Sequence, residues 1–168
     1  MIGMADIFLQ IALQYGLLGI FFVATALNAS VLLPLPFDII FIAIAGLRLF
    51  DPVLLGIAAG AGAALGEMAG YAAGYFGSRV IEKFSPVQMK MIFDFKQRIK
   101  NLGTVFILIG ALVPFPFDFI GIAAGLIKFD WKRFFIAVLC GRIIRYILIA
   151  VAIYYGLEAI QGFFAISG

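Results

Sequence analysis

The chain has 168 residues, of which 65% are hydrophobic and 12% charged, and it carries a net charge of +3, one cysteine and no histidine. Roughly a quarter of an ordinary soluble domain is charged, so a fold this short has no means of hiding so much apolar surface from water, and the bilayer is the expected solvent. The lack of histidine excludes a Ser-His-Asp triad, a His-ligated zinc site and a His proton relay, and a lone cysteine excludes an intramolecular disulfide or a Cys-based metal cluster.

The first apolar run covers 7–33. It lacks the Lys/Arg start of a cleavable signal peptide and outlasts a short h-region, so it is expected to stay in the mature protein. Its length allows either an interfacial helix plus a hairpin arm or a full span. Pro34 and Pro36 then remove backbone donors and break the helix, Asp38 follows at the predicted tip, and 39–47 supplies a short return arm.

Asp51, beside Pro52, reads as the N-cap of a spanning helix over 53–76. That helix carries Gly62, Gly66, Gly70 and Gly74 at four-residue steps, with Gly56 and Gly60 before them. The ridge lets another helix approach closely; packing within the chain is the plainer reading, and a homo-oligomer seam the alternative. Glu67 lies well inside this apolar stretch, and Tyr71 is a candidate cavity residue.

Six of the twelve Lys and Arg residues, Arg79, Lys83, Lys90, Lys96, Arg98 and Lys100, fall in the next segment, 79–101. The positive-inside bias assigns it to the cytoplasm. Ile81, Phe84, Val87, Met91, Phe95 and Ile99 recur at three- or four-residue steps, the pattern of an amphipathic helix lying among headgroups. Cations that flank a membrane already have this explanation, so nucleic acid is not an expected partner.

The stretch 103–113 is apolar, but at 1.5 Å per residue it reaches only ~16 Å as helix, too short to cross. Pro114 and Pro116 break it, Asp118 sits at the second predicted tip, and 119–127 makes the return arm. Lys128, Lys132 and Arg133 are expected to anchor at headgroups, and Asp130, beside Trp131, reads as a second N-cap. The closing span, 134–155, contains Cys140, read as a small buried apolar residue. It also contains Arg142 and Arg145, which share a face at i, i+3, and Tyr146.

Two halves of the chain repeat one another. Leu33-Pro34-Leu35-Pro36-Phe37-Asp38 returns as Val113-Pro114-Phe115-Pro116-Phe117-Asp118, and Ala45-Gly46-Leu47 before Phe50-Asp51 returns as Ala124-Gly125-Leu126 before Phe129-Asp130. Gly66-Glu67 and Tyr71 match Gly141-Arg142 and Tyr146 if the first copy carries four extra residues, about one helical turn. The expected fold is a single all-α membrane domain over 1–168: repeat one at 15–78, the basic amphipathic linker at 79–101, repeat two at 102–156, and a short tail at 157–168. Each repeat is a re-entrant helical hairpin followed by a transmembrane helix. With the linker cytoplasmic, the repeats run in opposite directions, an inverted arrangement found in many secondary transporters.

A charge at the bilayer centre costs at least ~2.5–3.5 kcal/mol, so Asp38, Glu67, Asp118, Arg142 and Arg145 are not expected to face lipid. The plain reading is that the arginines neutralise the acids and tie the repeats together. The functional reading is a wetted cavity whose acids exchange protons and whose guanidinium groups grip phosphate as a bidentate fork.

The Pro-x-Pro-Phe-Asp tips, the Gly141-Arg142-Ile143-Ile144-Arg145-Tyr146 string and the hairpin-then-helix duplication resemble the DedA superfamily, also called SNARE-associated or VTT domain proteins, with the YqaA-like branch nearest. Many of its members carry Pro-Gly-Glu at the first tip, where this chain has Pro36-Phe37-Asp38. The resemblance covers residues 15–156. It implies a multi-pass protein of the plasma (inner) membrane that moves phospholipid or polyprenyl phosphate between leaflets, with tip acids and helix arginines as its functional groups.

A lipid flippase or scramblase using membrane lipids and protons, without cofactor or metal, is therefore the first expectation. A proton- or cation-coupled transporter of a small solute is the second, and a membrane scaffold that transports nothing is the third. Enzymatic chemistry is not expected: the acids have no partner nucleophile.

Overall fold

A computed structural model describes residues 4–30, 37–77, 85–113 and 117–166. Seven helices and no strands occur among them: α1 (Met4–Asn28), α2 (Phe37–Gly46), α3 (Pro52–Phe76), α4 (Pro86–Leu102), α5 (Thr104–Leu112), α6 (Asp118–Leu126) and α7 (Trp131–Ile166). Pro34, Pro36, Pro114 and Pro116, which the sequence assigns as hairpin breakers, lie outside the described residues, as do Arg79, Lys83, Ile81 and Phe84.

Two helices are long and apolar enough to cross a membrane, Pro52–Phe76 and Trp131–Gly156. Asp51 caps the first through its Oδ1, which accepts from the Val53 and Leu54 amides at 2.9 Å. Asp130 does the same for the second, accepting from Arg133 N at 2.8 Å. Both caps follow from a short acid placed where the first turn's amides have no carbonyl of their own.

The first apolar run forms a helix broken by a kink, as far as Asn28. Gly16 adopts φ 60°, ψ −139° and divides α1 into two pieces, a left-handed conformation that glycine accepts without a Cβ clash. The second piece reaches only Asn28, so α1 is no uninterrupted span. Gly103, with φ 58° and ψ −134°, plays the same part between α4 and α5. At nine residues each, α5 and α6 are far below spanning length.

The long helix α3 lies at the centre, packed on α1, α6 and α7, while α7 also receives α5 and α2. A Cβ at Gly56 would come within 2.6 Å of Ile147 Cα, and Gly60 stands in the same way against Ile143. These contacts run antiparallel along α3 and α7, and only glycine permits them. Gly62 and Gly66 press on Phe21 and Thr25 of α1, whereas Gly70 and Gly74 meet Asp118 and Ile122 of α6. The glycine ridge is thus occupied within the chain.

Burial divides into two clusters. One joins α1, α2 and the first half of α3 to Tyr146 and Ala150 of α7; the other joins α4, α5, α6 and the second half of α3 to Phe134 and Val138. Outside these cores the long helices are apolar: Leu54, Ile57 and Leu65 of α3 are exposed, as are Ile136, Ile144 and Leu148 of α7. Cys140 belongs to this outer stripe. It is exposed, not buried as its type suggested, because it stands one turn from both Ile136 and Ile144.

The amphipathic helix α4 begins one residue after Ser85, whose hydroxyl and Gln88 form a capping box. Its seam differs from the one read off the periodicity. Ile92 and Ile99 are the buried positions, Met91 and Phe95 are half-buried, and Val87 is 71% exposed. The helix docks chiefly on α6; it does not rest only among headgroups.

Candidate functional site

Polar side chains are buried where α7 crosses α3 and α2. Among the described residues the buried charged ones are Glu67, Arg142 and Arg145, at 3%, 4% and 6% exposure. Such groups survive burial only when paired, and both arginines are.

Arg142 forms an ion pair with Glu67 of α3, both side chains sealed from the surface. Its guanidinium lies 5.1 Å from the centre of the Phe117 ring, at the start of α6. Glu67 Oε2 and Arg142 Nε have no hydrogen-bond partner, so the pair is closed on one edge and open on the other. Asp118, in the first turn of α6, is within electrostatic reach of both groups. It forms neither a hydrogen bond nor an ion pair among the described residues.

Arg145 pairs with Asp38, in the first turn of α2. Its Nη1 also donates to the Val113 carbonyl at 3.3 Å, so one guanidinium bridges the acid of α2 and the backbone at the end of α5. Tyr146 donates its hydroxyl to the other Asp38 oxygen at 2.9 Å and is held by the Phe41 and Phe37 rings at 4.7 and 5.5 Å. This pair is asymmetric: the Arg145 side chain is 6% exposed and that of Asp38 42%.

The two arginines expected on one face are therefore both inside, yet each takes a different acid from a different element. Asp38 and Asp118 each lie in the first turn of a short helix, α2 and α6. Neither Val113 nor Phe117 was legible as a partner of the arginines, since one offers only its carbonyl and the other a ring face. Tyr146 carried a weak signal in the string that joins it to Arg145.

Two further contacts reach across the halves near the helix ends. Tyr154 donates to the Phe50 carbonyl at 2.6 Å, and Tyr71 donates to the Phe129 carbonyl, so Tyr71 braces a helix start and does not line the candidate site. Arg48 stacks 5.3 Å from the Tyr154 ring and Lys128 5.7 Å from the Tyr75 ring. Arg48 and Lys128 are also the two positive-φ residues other than glycine among the described residues.

The described residues contain no group of His, Cys, Asp and Glu that could hold a metal. The sequence model of the VTT domain matches residues 33–155, which run from the first proline tip to the end of the second span. No curated protein and no solved structure matches the chain significantly.

Proposed function

The chain belongs to the VTT domain family of membrane proteins, and from that premise we propose that it is a carrier, not an enzyme, that moves a phosphate-bearing lipid between leaflets of the plasma membrane. The candidate substrates are a phospholipid and a polyprenyl phosphate, with protons as the coupled ion. In this reading α1–α2 and α5–α6 are two re-entrant hairpins that enter from opposite leaflets, and the repeats are inverted. Support comes from the shortness of α5 and α6, the antiparallel contact of α3 with α7, and the matching glycine breaks at Gly16 and Gly103. The basic segment 79–101 then faces the cytoplasm.

One observation carries the mechanism. Arg145 is buried, while the carboxylate that neutralises it is nearly half open. A phosphate entering beside Asp38 finds a preformed guanidinium fork and displaces a carboxylate that can turn to water. The Tyr146 hydroxyl, now released, is free to donate to the same phosphate. Glu67, Arg142 and Asp118 form the second, sealed set: Arg142 can shift between two acids, and whichever acid it leaves is stabilised by a proton. Rocking one hairpin against the other would open these two sets to opposite sides in turn.

Reconstituted vesicles containing a fluorescent phospholipid or polyprenyl phosphate test this directly. Wild-type protein should speed exchange between leaflets above empty vesicles, and Arg145→Gln should return it to the empty-vesicle rate. If wild-type protein accelerates no such lipid, the carrier reading falls.

A further inference from the structure

The carrier reading leaves the sides of α4 unused. An open groove of about 460 Å³ runs between α4 and the second hairpin, within the ~300–1,000 Å³ range of ordinary ligand pockets. Phe95 and Phe106, 5.9 Å apart, form part of its wall, and Ile109 and Val113 continue it toward Arg145 through the carbonyl that Arg145 binds. Asp94 and Arg98 also line it.

Those two residues are one turn apart with the acid on the N-terminal side, the order in which an exposed helical pair closes most readily. Neither makes a hydrogen bond or ion pair among the described residues, and both are exposed. The groove therefore offers one cation and one anion, separately available, at the edge of an apolar channel. An anionic lipid would be held by Arg98 and repelled by Asp94. A zwitterionic headgroup satisfies both.

We propose that this groove docks a phospholipid of the phosphoethanolamine type, its phosphate on Arg98, its ammonium on Asp94 and an acyl chain along Phe106, Ile109 and Val113. The proposal rests on the chain's being a membrane protein and deepens the carrier reading by giving lipid a seat that leads to the Asp38–Arg145 pair.

Native mass spectrometry of the purified protein with equimolar dioleoyl phosphatidylethanolamine and dioleoyl phosphatidylglycerol tests it. Wild-type protein should retain the ethanolamine lipid over the glycerol lipid by roughly threefold, the size an exposed charge contact supports. Asp94→Asn should bring that ratio to about one by removing the ammonium's partner. Ile109→Trp, which fills the channel, should lose both lipids, and Val87→Trp, on the exposed side of the same helix, should lose neither. A wild-type ratio near one, a preference surviving in Asp94→Asn, or undiminished retention by Ile109→Trp overturns the proposal. Because retention is measured without flux, a protein that binds selectively but moves no lipid overturns only the carrier reading, and one that moves lipid without selective binding overturns only the docking site.

Discussion

Glu67–Arg142 and Asp38–Arg145 are one chemical pair in two environments, and the difference sets what each substitution should do. Breaking the sealed pair by Arg142→Gln strands a buried carboxylate, and a loss of about 3–5 kcal/mol in unfolding free energy is expected, measurable by denaturant unfolding in detergent. Asp38→Asn at the half-open pair leaves Arg145 buried with only the Val113 carbonyl and a neutral amide oxygen to accept from it, and should cost less than the sealed pair, about 1–3 kcal/mol, while abolishing lipid movement, since its neutral side chain no longer exchanges with a phosphate. All five ionisable residues were visible in the sequence, because a charge in an apolar run has no solvent to explain it. Their pairing was not. Arg142 and Arg145 share a helix face, and nothing local reveals that two different helices bring one acid to each.

Among the elements, glycine spacing was the clearest sequence signal, and the close approaches it permits are the most sensitive to change. Gly60→Val puts side-chain atoms into the Ile143 backbone and should separate α3 from α7 at a cost of about 1–3 kcal/mol or more. Gly46→Ala adds a methyl where nothing lies within 4 Å, and the same unfolding assay should find it near neutral. Cap positions were equally legible: Asp51→Ala should cost about 1 kcal/mol through the two amides it leaves unpaired. The α4 seam was harder to read. Val87 and Phe93 lie exposed while Ile92 and Ile99 are buried, so apolar residues occupy more than one side of the helix. Periodicity alone allows either seam, and docking on α6 selects one. Likewise the length of the first apolar run allowed one straight helix, and the Gly16 backbone divides it in two.

At the scale of the molecule, the duplication read from the P-x-P-F-D strings has counterparts in backbone and contacts. Glycines at φ near 60° precede an arm in each half, a positive-φ cation stands within three residues of each capping aspartate, and tyrosines from each long helix hold the carbonyl just before the other's cap. One core cluster joins α1 and α2, and the other α4, α5 and α6, to parts of both long helices. This exchange of partners was beyond the sequence, because it depends on the antiparallel contact of two helices far apart in the chain. In the proposed carrier, α1–α2 and α5–α6 face opposite sides of the membrane. Labelling with a membrane-impermeant maleimide, in a Cys140→Ser background with single cysteines at Leu49 and Lys128, measures this directly. Leu49→Cys should react from the outer side only and Lys128→Cys from the cytoplasmic side only; reaction of both from the same side would contradict the inverted arrangement and the carrier mechanism built on it.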